Sequence, residues 1–471
     1  MAKILLTTPP WQPFHTLQVL FPNIPPLGLQ ILAGVLRAGG HEARVFSAQH
    51  LRPLHPEFIR AIEEFKPEII GFSNSELPNA PMVIKVAREV KRRYPNVKLL
   101  AGGQAPTFKP ELFLGPAGPF DAVALYEAEG TVTRIVEALV SGSTLEGVPG
   151  CAWRAADGAL KLPEQQKVLC DLDSQPLPLW EGSLYKASFS KGLFAAVETS
   201  RGCPFRCTFC SIPGYYGAPR YKTAKRILEE LRALKKLGVA EFSINDDSFA
   251  TRPEIVREVF ATMLRERMGL RFGVQIRADI IAANPALIEL GAKAGMFMAV
   301  VGFEGYTSAV QEESDKGNSA DINRAASRIL RSHGVAVYGT HIFGGPASGL
   351  GDSLATFFYG RRNSDVFRMT IYTPVPGSRL YADLAGSSQL SSENPEDFYE
   401  GKYLIKDAHN PKLVQLGYYF LLALHYALPD TLLKLFHRDE VIRCFMRRAY
   451  KGAVYFVLGG VFSAVFRRKT A

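Results

Sequence analysis

The chain has 471 residues, of which 47% are hydrophobic and 21% charged, the composition of a globular protein with room for two or three domains. Six cysteines, three of them in one short loop, exclude a disulfide framework and favour a reducing, cytoplasmic location. The N-terminus meets prolines within ten residues, so it predicts a first strand rather than a signal peptide. The net charge of +10 comes with no nucleic-acid recognition module, and we expect no nucleic-acid partner.

Residues 1–145 alternate strand and helix signals. Apolar runs predict five strands, at Lys3–Thr8, Ala43–Ser47, Glu68–Ser73, Lys98–Gly103 and Phe120–Leu125. Helical spacing of apolar residues predicts four helices, at Leu27–Ala38, Pro56–Phe65, Pro81–Tyr94 and Gly130–Val140. Units of this length predict an α/β domain with a doubly wound parallel sheet, whose ligands lie at the carboxyl ends of the strands.

The residues at those strand ends are small, polar or turn-forming, which leaves room for a bulky ligand against the backbone. The candidate binding residues are Pro10, Trp11, Ser73, Asn74, Ser75, Gly102, Gly103, Gln104, Tyr126 and Glu127. His50 and His55 have no metal-ligand context, and we expect them at the surface.

Residues 146–190 are predicted to form a linker. Gly147–Arg154 is typical of a short hairpin arm, and the prolines of Asp171–Leu179 indicate a connector between domains. We interpret Cys151 and Cys170 as packing residues.

Three cysteines form the most informative pattern in the chain. Cys203, Cys207 and Cys210 follow a predicted strand at Leu193–Glu198 with the spacing C-x3-C-x2-C. Thiolates suit zinc or iron–sulfur clusters, but structural zinc and ordinary cubane clusters take four protein ligands. Three ligands would leave one iron of a four-iron cluster open for a small molecule.

Residues 191–385 resume the alternation of strands and helices. Further strands are predicted at Glu241–Phe249, Arg271–Arg277, Phe297–Glu304, Ala336–Phe343 and Arg368–Thr373. Helices are predicted at Thr223–Leu237, Pro253–Arg265, Pro285–Ala294 and Ile322–His333. Six repeats predict a partial (β/α)6 barrel, with functional residues at the carboxyl ends of its strands. The candidates there are Asp246, Asp247, Arg277, Glu304, His341 and Ile342.

The cysteine loop, with Phe209 before its last cysteine, resembles the radical S-adenosylmethionine superfamily. The N-terminal motifs resemble the cobalamin-binding domain that precedes many such enzymes: Thr8-Pro9-Pro10, Pro25-Pro26-Leu27-Gly28, Gly102-Gly103-Gln104-Ala105-Pro106-Thr107 and Tyr126-Glu127-Ala128-Glu129-Gly130-Thr131. No D-x-H-x-x-G motif is present, so the resemblance implies cobalt without a histidine ligand. Two positions depart from the family pattern: Gln104 lies in a loop that often carries a histidine, and Gly305 replaces the usual serine.

The resemblance implies roles for the other strand-end residues. Asp246 or Asp247 would accept hydrogen bonds from the ammonium group of S-adenosylmethionine, and Arg277 would meet its carboxylate. Glu304 would hold the ribose hydroxyls. Phe209, His341 and Ile342 complete the expected S-adenosylmethionine site, the last two beside adenine.

The activity implied is methyl transfer from cobalamin to an unactivated carbon, initiated by a 5′-deoxyadenosyl radical that the four-iron cluster generates from S-adenosylmethionine. A reductant such as flavodoxin or ferredoxin would supply the electrons. Two alternatives stay open: a non-methylating cyclase or ring-rearranging enzyme with the same cofactors, and a non-catalytic iron–sulfur redox sensor. We expect the substrate to be a small molecule, or a lipid or isoprenoid.

Residues 386–471 are expected to be helical. The apolar stretches Leu413–Leu428 and Gly452–Phe466 fall short of the about 20 residues that span a bilayer. Between Asp430 and Ala471, nine Lys or Arg residues stand against three Asp or Glu. The pattern predicts either helices lying on an anionic membrane, at its inner face, or core helices that cover the barrel.

Overall fold

The computed structural model describes residues 1–10, 24–49, 51–116, 118–180, 182–407 and 409–452. Trp11, His50 and the stretch 453–466 lie outside these residues, so the expectations for them stay predictions.

The N-terminal domain is built on a seven-stranded sheet, and its five predicted strands are confirmed to within a few residues. The strands are β1 (Lys3–Thr7), β2 (Glu42–Phe46), β3 (Ile69–Ser73), β4 (Lys98–Gly102), β5 (Ala122–Ala124), β6 (Cys151–Arg154) and β7 (Leu160–Lys161). The first five are parallel in the order β2-β1-β3-β4-β5, and β6 and β7 continue the sheet antiparallel. This order is doubly wound, with its switch point between β1 and β3. Because β6 pairs with β5, the hairpin arm extends the N-terminal sheet.

Helices cover both faces of this sheet. They are α1 (Leu27–Ala38), α2 (Pro56–Phe65), α3 (Ala80–Arg93), the short α4 (Gln104–Phe108) and α5 (Pro110–Leu114), and α6 (Val132–Ser141). Residues of α1 and α6 share one apolar core beneath the sheet, and residues of α2 and α3 share the other. Cys151 is fully buried in the α1/α6 core, which confirms its packing role.

The second domain is a curled sheet of six parallel strands, as predicted for a partial barrel. Its strands are β8 (Tyr185–Lys186), β9 (Leu193–Val197), β12 (Val239–Ile244), β13 (Arg271–Gln275), β14 (Met296–Glu304), β15 (Ala336–Phe343) and β16 (Val366–Ile371), with a separate two-stranded ribbon of β10 (Ser200–Arg201) and β11 (Arg220–Tyr221). The order is β16-β15-β14-β13-β12-β9-β8, in which only β8 is antiparallel.

Helices α7 to α14 connect the strands of the barrel domain. They are α7 (Ile212–Tyr216), α8 (Ala224–Lys236), α9 (Pro253–Arg265), α10 (Ala278–Ala283), α11 (Pro285–Ala294), α12 (Ser308–Ser314), α13 (Ala320–Ser332) and α14 (Leu350–Asn363). The predicted helices correspond to α8, α9, α11 and α13. The long helix α14 was not predicted.

The C-terminal region closes the side and the floor of the barrel. It contains α15 (Arg379–Gly386), α16 (Pro411–Ala427), α17 (Pro429–Leu433) and a helical stretch at 440–452. The Tyr418 hydroxyl of α16 donates to the Met369 carbonyl of β16 at 3.2 Å, and Phe445 packs on Phe189 and Tyr338 at the barrel floor. Within the described residues, no helix has both the length and the apolar character to cross a membrane.

Candidate functional site

A cavity of about 890 Å³ runs from the mouth of the barrel into its interior. All three cysteines of the loop border it, and so do Ile24 and Gln49 of the N-terminal domain. Most of the predicted strand-end residues also reach it: Phe209, Asp246, Asp247, Arg277, Glu304 and Ile342. The fold therefore gathers side chains that are far apart in sequence around one space.

Backbone contacts to two aspartates hold the cysteine loop in place. The Asp246 carboxylate accepts from the Thr199 amide at 2.6 Å and from the Ser200 amide at 3.1 Å. Asp247 accepts from the amide of Gly202 at 2.9 Å. The residue before Cys203 is thereby fixed at the end of β12.

The three cysteines suit a cluster better than a single metal ion. Burial raises the pKa of each thiol, that of Cys210 to about 12, so a bound cation is needed to hold the thiolates. Among the described residues, no three His, Cys, Asp or Glu side chains lie close enough to share one metal ion. In an iron–sulfur cluster each thiolate binds a different iron, so the three sulfurs need not meet at one metal ion.

The two aspartates have different surroundings. Asp246 is 3% exposed, and its carboxylate accepts hydrogen bonds from the side chains and amides of Thr199 and Ser200, so its role is to hold the loop. Asp247 is only half-buried, and burial raises the pKa of its carboxyl to about 7. Of the pair, Asp247 is the better candidate acceptor for the ammonium group.

Arg277 lies beside the cysteine loop. Its guanidinium pairs with Asp279 at 2.9 Å and lies 3.5 Å from the centre of the Phe205 ring. One guanidinium nitrogen is 3.9 Å from the Cys207 sulfur. The arginine therefore places positive charge next to the thiolates as well as in the cavity.

Glu304 ends β14 in a left-handed conformation, with a φ of +59°. Its carboxylate pairs with Lys316, which also donates to the Gly302 carbonyl at 2.7 Å. A Cβ at Gly305 would lie 2.3 Å from Val310, which explains why glycine replaces serine here. Lys316 borders the cavity, and no motif in the sequence pointed to it.

His341 requires a correction. Successive residues of β15 face opposite sides of the sheet, and Ile342 is the one that borders the cavity. The His341 ring packs against Phe367 and close to Gly360 in the outer helix layer, and it is fully buried there. It therefore does not lie beside a ligand in the barrel.

The strand ends of the N-terminal sheet offer a second site. Asn74 is 1% exposed, and neither amide atom of its side chain has a hydrogen-bond partner among the described residues. Gly103 has a φ of +103°, and a Cβ there would lie 2.6 Å from the Asn74 carbonyl oxygen. Buried amide groups are normally satisfied, so an unpaired one at the switch point fits a bound polar ligand such as the amide-rich rim of cobalamin.

The other predicted residues of this site are arranged around Asn74. Pro10 follows β1, Ser73 and Gly102 end the paired strands β3 and β4, and Ser75 is exposed. Gln104 accepts a hydrogen bond from the Ser211 hydroxyl at 3.2 Å, which ties its loop to the barrel domain.

Tyr126 and Glu127 follow β5 but face the barrel domain. The Tyr126 ring packs against Phe108 and Tyr215. Glu127 is 4% exposed and pairs with Arg201 at 2.7 Å. The Glu127 carboxylate thus binds arginines of the neighbouring domain, and its expected contact with cobalamin stays a prediction.

Comparisons with known proteins agree with this geometry. Residues 17–136 match the B12 binding domain family, and residues 197–350 match the radical SAM superfamily. An uncharacterized methyltransferase of Pyrococcus horikoshii is 27% identical over 84% of this chain and 85% of its own length. The hopanoid C-3 methylase of Methylococcus capsulatus is 28% identical over 68% of this chain, which spans 61% of that enzyme.

A cyclase and a solved structure are also similar. The anaerobic magnesium-protoporphyrin IX monomethyl ester cyclase of Synechocystis is 27% identical over 72% of this chain and 68% of its own length. The radical S-adenosylmethionine methyltransferase TsrM of Kitasatospora setae, solved with cobalamin and an iron–sulfur cluster, has a TM-score of 0.71 at 15% identity, covering 98% of this chain and all of TsrM. This likeness shows the shared fold.

A partial barrel with a three-cysteine loop at its mouth, preceded by a doubly wound domain that matches the B12 binding family, defines a radical S-adenosylmethionine enzyme with a second cofactor domain. The chain belongs to the cobalamin-dependent radical S-adenosylmethionine enzymes, as its motifs predicted.

Proposed function

We propose that this enzyme transfers a methyl group to an unactivated carbon of a small-molecule or lipid substrate. The observation that carries the proposal is the cavity itself, which is bordered both by the three cysteines and by residues of the N-terminal domain. A substrate carbon in that space would lie between the cluster loop and the domain proposed to hold cobalamin. Methyl transfer is also the activity named for relatives that match most of the chain.

The two cofactors supply the radical and methyl-transfer chemistry: each methylation consumes two molecules of S-adenosylmethionine and two electrons from an external reductant, and it yields methionine, 5′-deoxyadenosine and S-adenosylhomocysteine. The protein's part is binding and placement. Cys203, Cys207 and Cys210 hold the cluster, Asp247 accepts from the ammonium group, and Arg277 meets the carboxylate. Glu304, with Lys316, holds the ribose diol, and Ile342 lies against adenine.

The competing proposal is ring closure without methyl transfer, because a cyclase is among the relatives. The two activities differ in what happens to the methyl group of S-adenosylmethionine. Cells that express the protein, fed methionine with a deuterated methyl group, should contain a new metabolite that carries the label. A new metabolite without label, formed together with 5′-deoxyadenosine, would instead support the cyclase.

Peripheral membrane association is part of the same proposal, and it has a structural basis in helices α14 and α16. Arg361 of α14 pairs with Asp430 of α17 at 2.6 Å and donates to the His425 carbonyl of α16 at 3.2 Å, so the C-terminal ends of α14 and α16 are close together. Both helices expose large apolar side chains, which are Leu350, Leu354, Phe358, Leu413, Leu416 and Phe420. Large exposed apolar side chains that gather in one patch mark interaction sites.

Charge favours an anionic bilayer as the partner of these apolar side chains. Between residues 430 and 452, six Lys or Arg residues stand against three Asp or Glu, and Arg438, Arg447 and Lys451 are exposed. Basic residues near an anionic leaflet contribute about 1 kcal/mol each.

Cosedimentation with vesicles of anionic lipid at low salt tests this association. We expect full-length protein to bind, and the variant Leu416→Glu with Phe420→Glu to bind less. Leu264→Glu, at an isolated exposed leucine of α9, is the control. Equal binding by all three proteins, or none by the wild type, would contradict the membrane proposal.

A further inference from the structure

Eight charged side chains form a buried network where the N-terminal domain meets the barrel domain. Two come from the N-terminal domain and six from the barrel domain, and the four acids balance the four bases. The members are Glu127, Glu129, Glu198, Arg201, Arg220, Lys222, Arg226 and Glu230. Their side chains are at most 21% exposed. The roles proposed above for binding cofactors and substrate use none of them.

Arg201 is the centre of this network. Its guanidinium lies 2.7 Å from Glu127, 2.7 Å from Glu129 and 2.8 Å from Glu198. The first two carboxylates belong to the N-terminal domain and the third to the barrel domain. The rigid fork of arginine thus joins two domains through directional, charge-assisted hydrogen bonds.

The segment that follows the cysteine loop is attached to the N-terminal domain as well. Arg201 precedes Cys203 by two residues, and Tyr215 follows Cys210 by five. The Tyr215 hydroxyl donates to the Tyr126 carbonyl at 2.6 Å, directly before Glu127. The loop that would hold the cluster is therefore attached, before and after its cysteines, to the end of β5 in the domain that would hold cobalamin.

We infer that Arg201, Glu127 and Glu129 are positioning residues that set the distance and orientation between the iron–sulfur cluster and cobalamin. The inference rests on the proposed function, which requires both cofactors to reach one substrate carbon. Stability alone does not explain the network, because buried ion pairs often stabilise a fold no better than apolar residues of similar size. A directional contact across the domain boundary, next to the cysteine loop, fixes the position of one domain relative to the other. Misplacement by about 1 Å can lower a reaction rate by about a hundredfold.

Two charge-balanced double variants separate positioning from simple stability. Arg201→Met with Glu198→Gln removes the contacts of Arg201 to Glu127 and Glu129 across the domain boundary and leaves the Arg220–Glu127 pair. Lys222→Met with Glu230→Gln is the control, since it breaks a buried pair of 2.7 Å in the same network that lies entirely within the barrel domain. Each double variant removes one positive and one negative charge.

Pulsed electron paramagnetic resonance between cob(II)alamin and the reduced cluster measures their separation directly. We expect the Arg201 variant to bind both cofactors but to show a shifted or broadened distance distribution. Its rate of methyl transfer from S-adenosylmethionine to cobalamin should fall by up to about a hundredfold. The control should match the wild type in both measurements.

An unchanged distance distribution and rate in the loaded Arg201 variant would overturn this inference alone. If that variant does not fold, Arg201→Lys replaces it, because lysine keeps the charge and removes the planar fork of donors. The distance distribution should shift in this variant too, and an unchanged distribution would also overturn the inference. A wild-type protein that binds no cobalamin would contradict the proposed function itself.

Discussion

At the scale of single residues, the three cysteines are the part of the site that the sequence predicts best. Their spacing in one short loop predicts a shared ligand set, and the family resemblance identifies the cluster that they would hold. Asp247, Arg277 and Glu304 also reach the cavity, since strand ends of a parallel barrel converge at one mouth.

Replacing Cys203, Cys207 and Cys210 together by Ala should remove the cluster and abolish reductive cleavage of S-adenosylmethionine. The N-terminal sheet should stay folded, since its two cores contain none of these cysteines. Absorption and paramagnetic-resonance spectra after anaerobic reconstitution measure the cluster, and circular dichroism measures the fold. A full cluster in the triple variant would contradict the ligand assignment.

The surroundings of His341 and Glu127 could not be predicted from sequence, for two different reasons. The strand pattern of β15 is apolar on both faces, so it does not reveal which of His341 and Ile342 points inward. The partners of Glu127 lie more than 70 residues away, at Arg201 and Arg220. Contacts of that range have no local signature.

His341 should make folding stability depend on pH. Burial lowers the pKa of its imidazole to about 4, against about 6.5 in the unfolded chain. Between these values the unfolded chain binds a proton that the folded protein does not, so stability falls as pH falls from 6.5 to 4, by about 3 kcal/mol in total.

The variant His341→Gln lacks this proton uptake. Urea unfolding at several pH values measures this effect. As the pH is lowered, the free energy of unfolding of the wild type should fall relative to that of the variant. Parallel pH profiles for the two proteins would show that His341 does not titrate in this way.

At the scale of elements, strong periodicity predicted the strands and the longer amphipathic helices. Helix α14 was missed because its apolar residues do not lie on one face: Phe357 is buried, whereas Leu350 and Phe358 are more than half exposed. A helix that is apolar on two sides shows no clear hydrophobic periodicity in its sequence. Its second apolar side is the one we propose to meet lipid.

The turn after β4 requires a glycine at position 103 for a physical reason. Gly103→Ala should destabilise the N-terminal domain by about 1–3 kcal/mol, because only glycine readily adopts its backbone conformation and the added Cβ would meet the Asn74 carbonyl. Cobalamin content should fall with it. Gly351→Ala in α14 is the control, since a Cβ there meets nothing within 4 Å. Equal thermal stability and cobalamin content in both variants would contradict the assigned role of this turn.

At the scale of the whole molecule, the order of the two domains was predictable, but the way they meet was not. One apolar core includes residues of the N-terminal domain, such as Phe72 and Phe113, and residues of the C-terminal region, such as Tyr418. The C-terminal helices thus help to join the domains in addition to covering the barrel. Helix α16 buries Tyr418 in this core, as the core-helix alternative predicted, and exposes Phe420; the membrane alternative stays a proposal.

The central claim is that the chain uses S-adenosylmethionine in two ways, as a radical source and as a methyl donor to cobalamin. Anaerobically reconstituted protein, loaded with cobalamin and given a strong reductant and S-adenosylmethionine with a deuterated methyl group, tests both at once. The account predicts 5′-deoxyadenosine in solution together with label on the bound cobalamin, and loss of the 5′-deoxyadenosine in the triple cysteine variant. Protein that carries both cofactors yet forms neither product would contradict it.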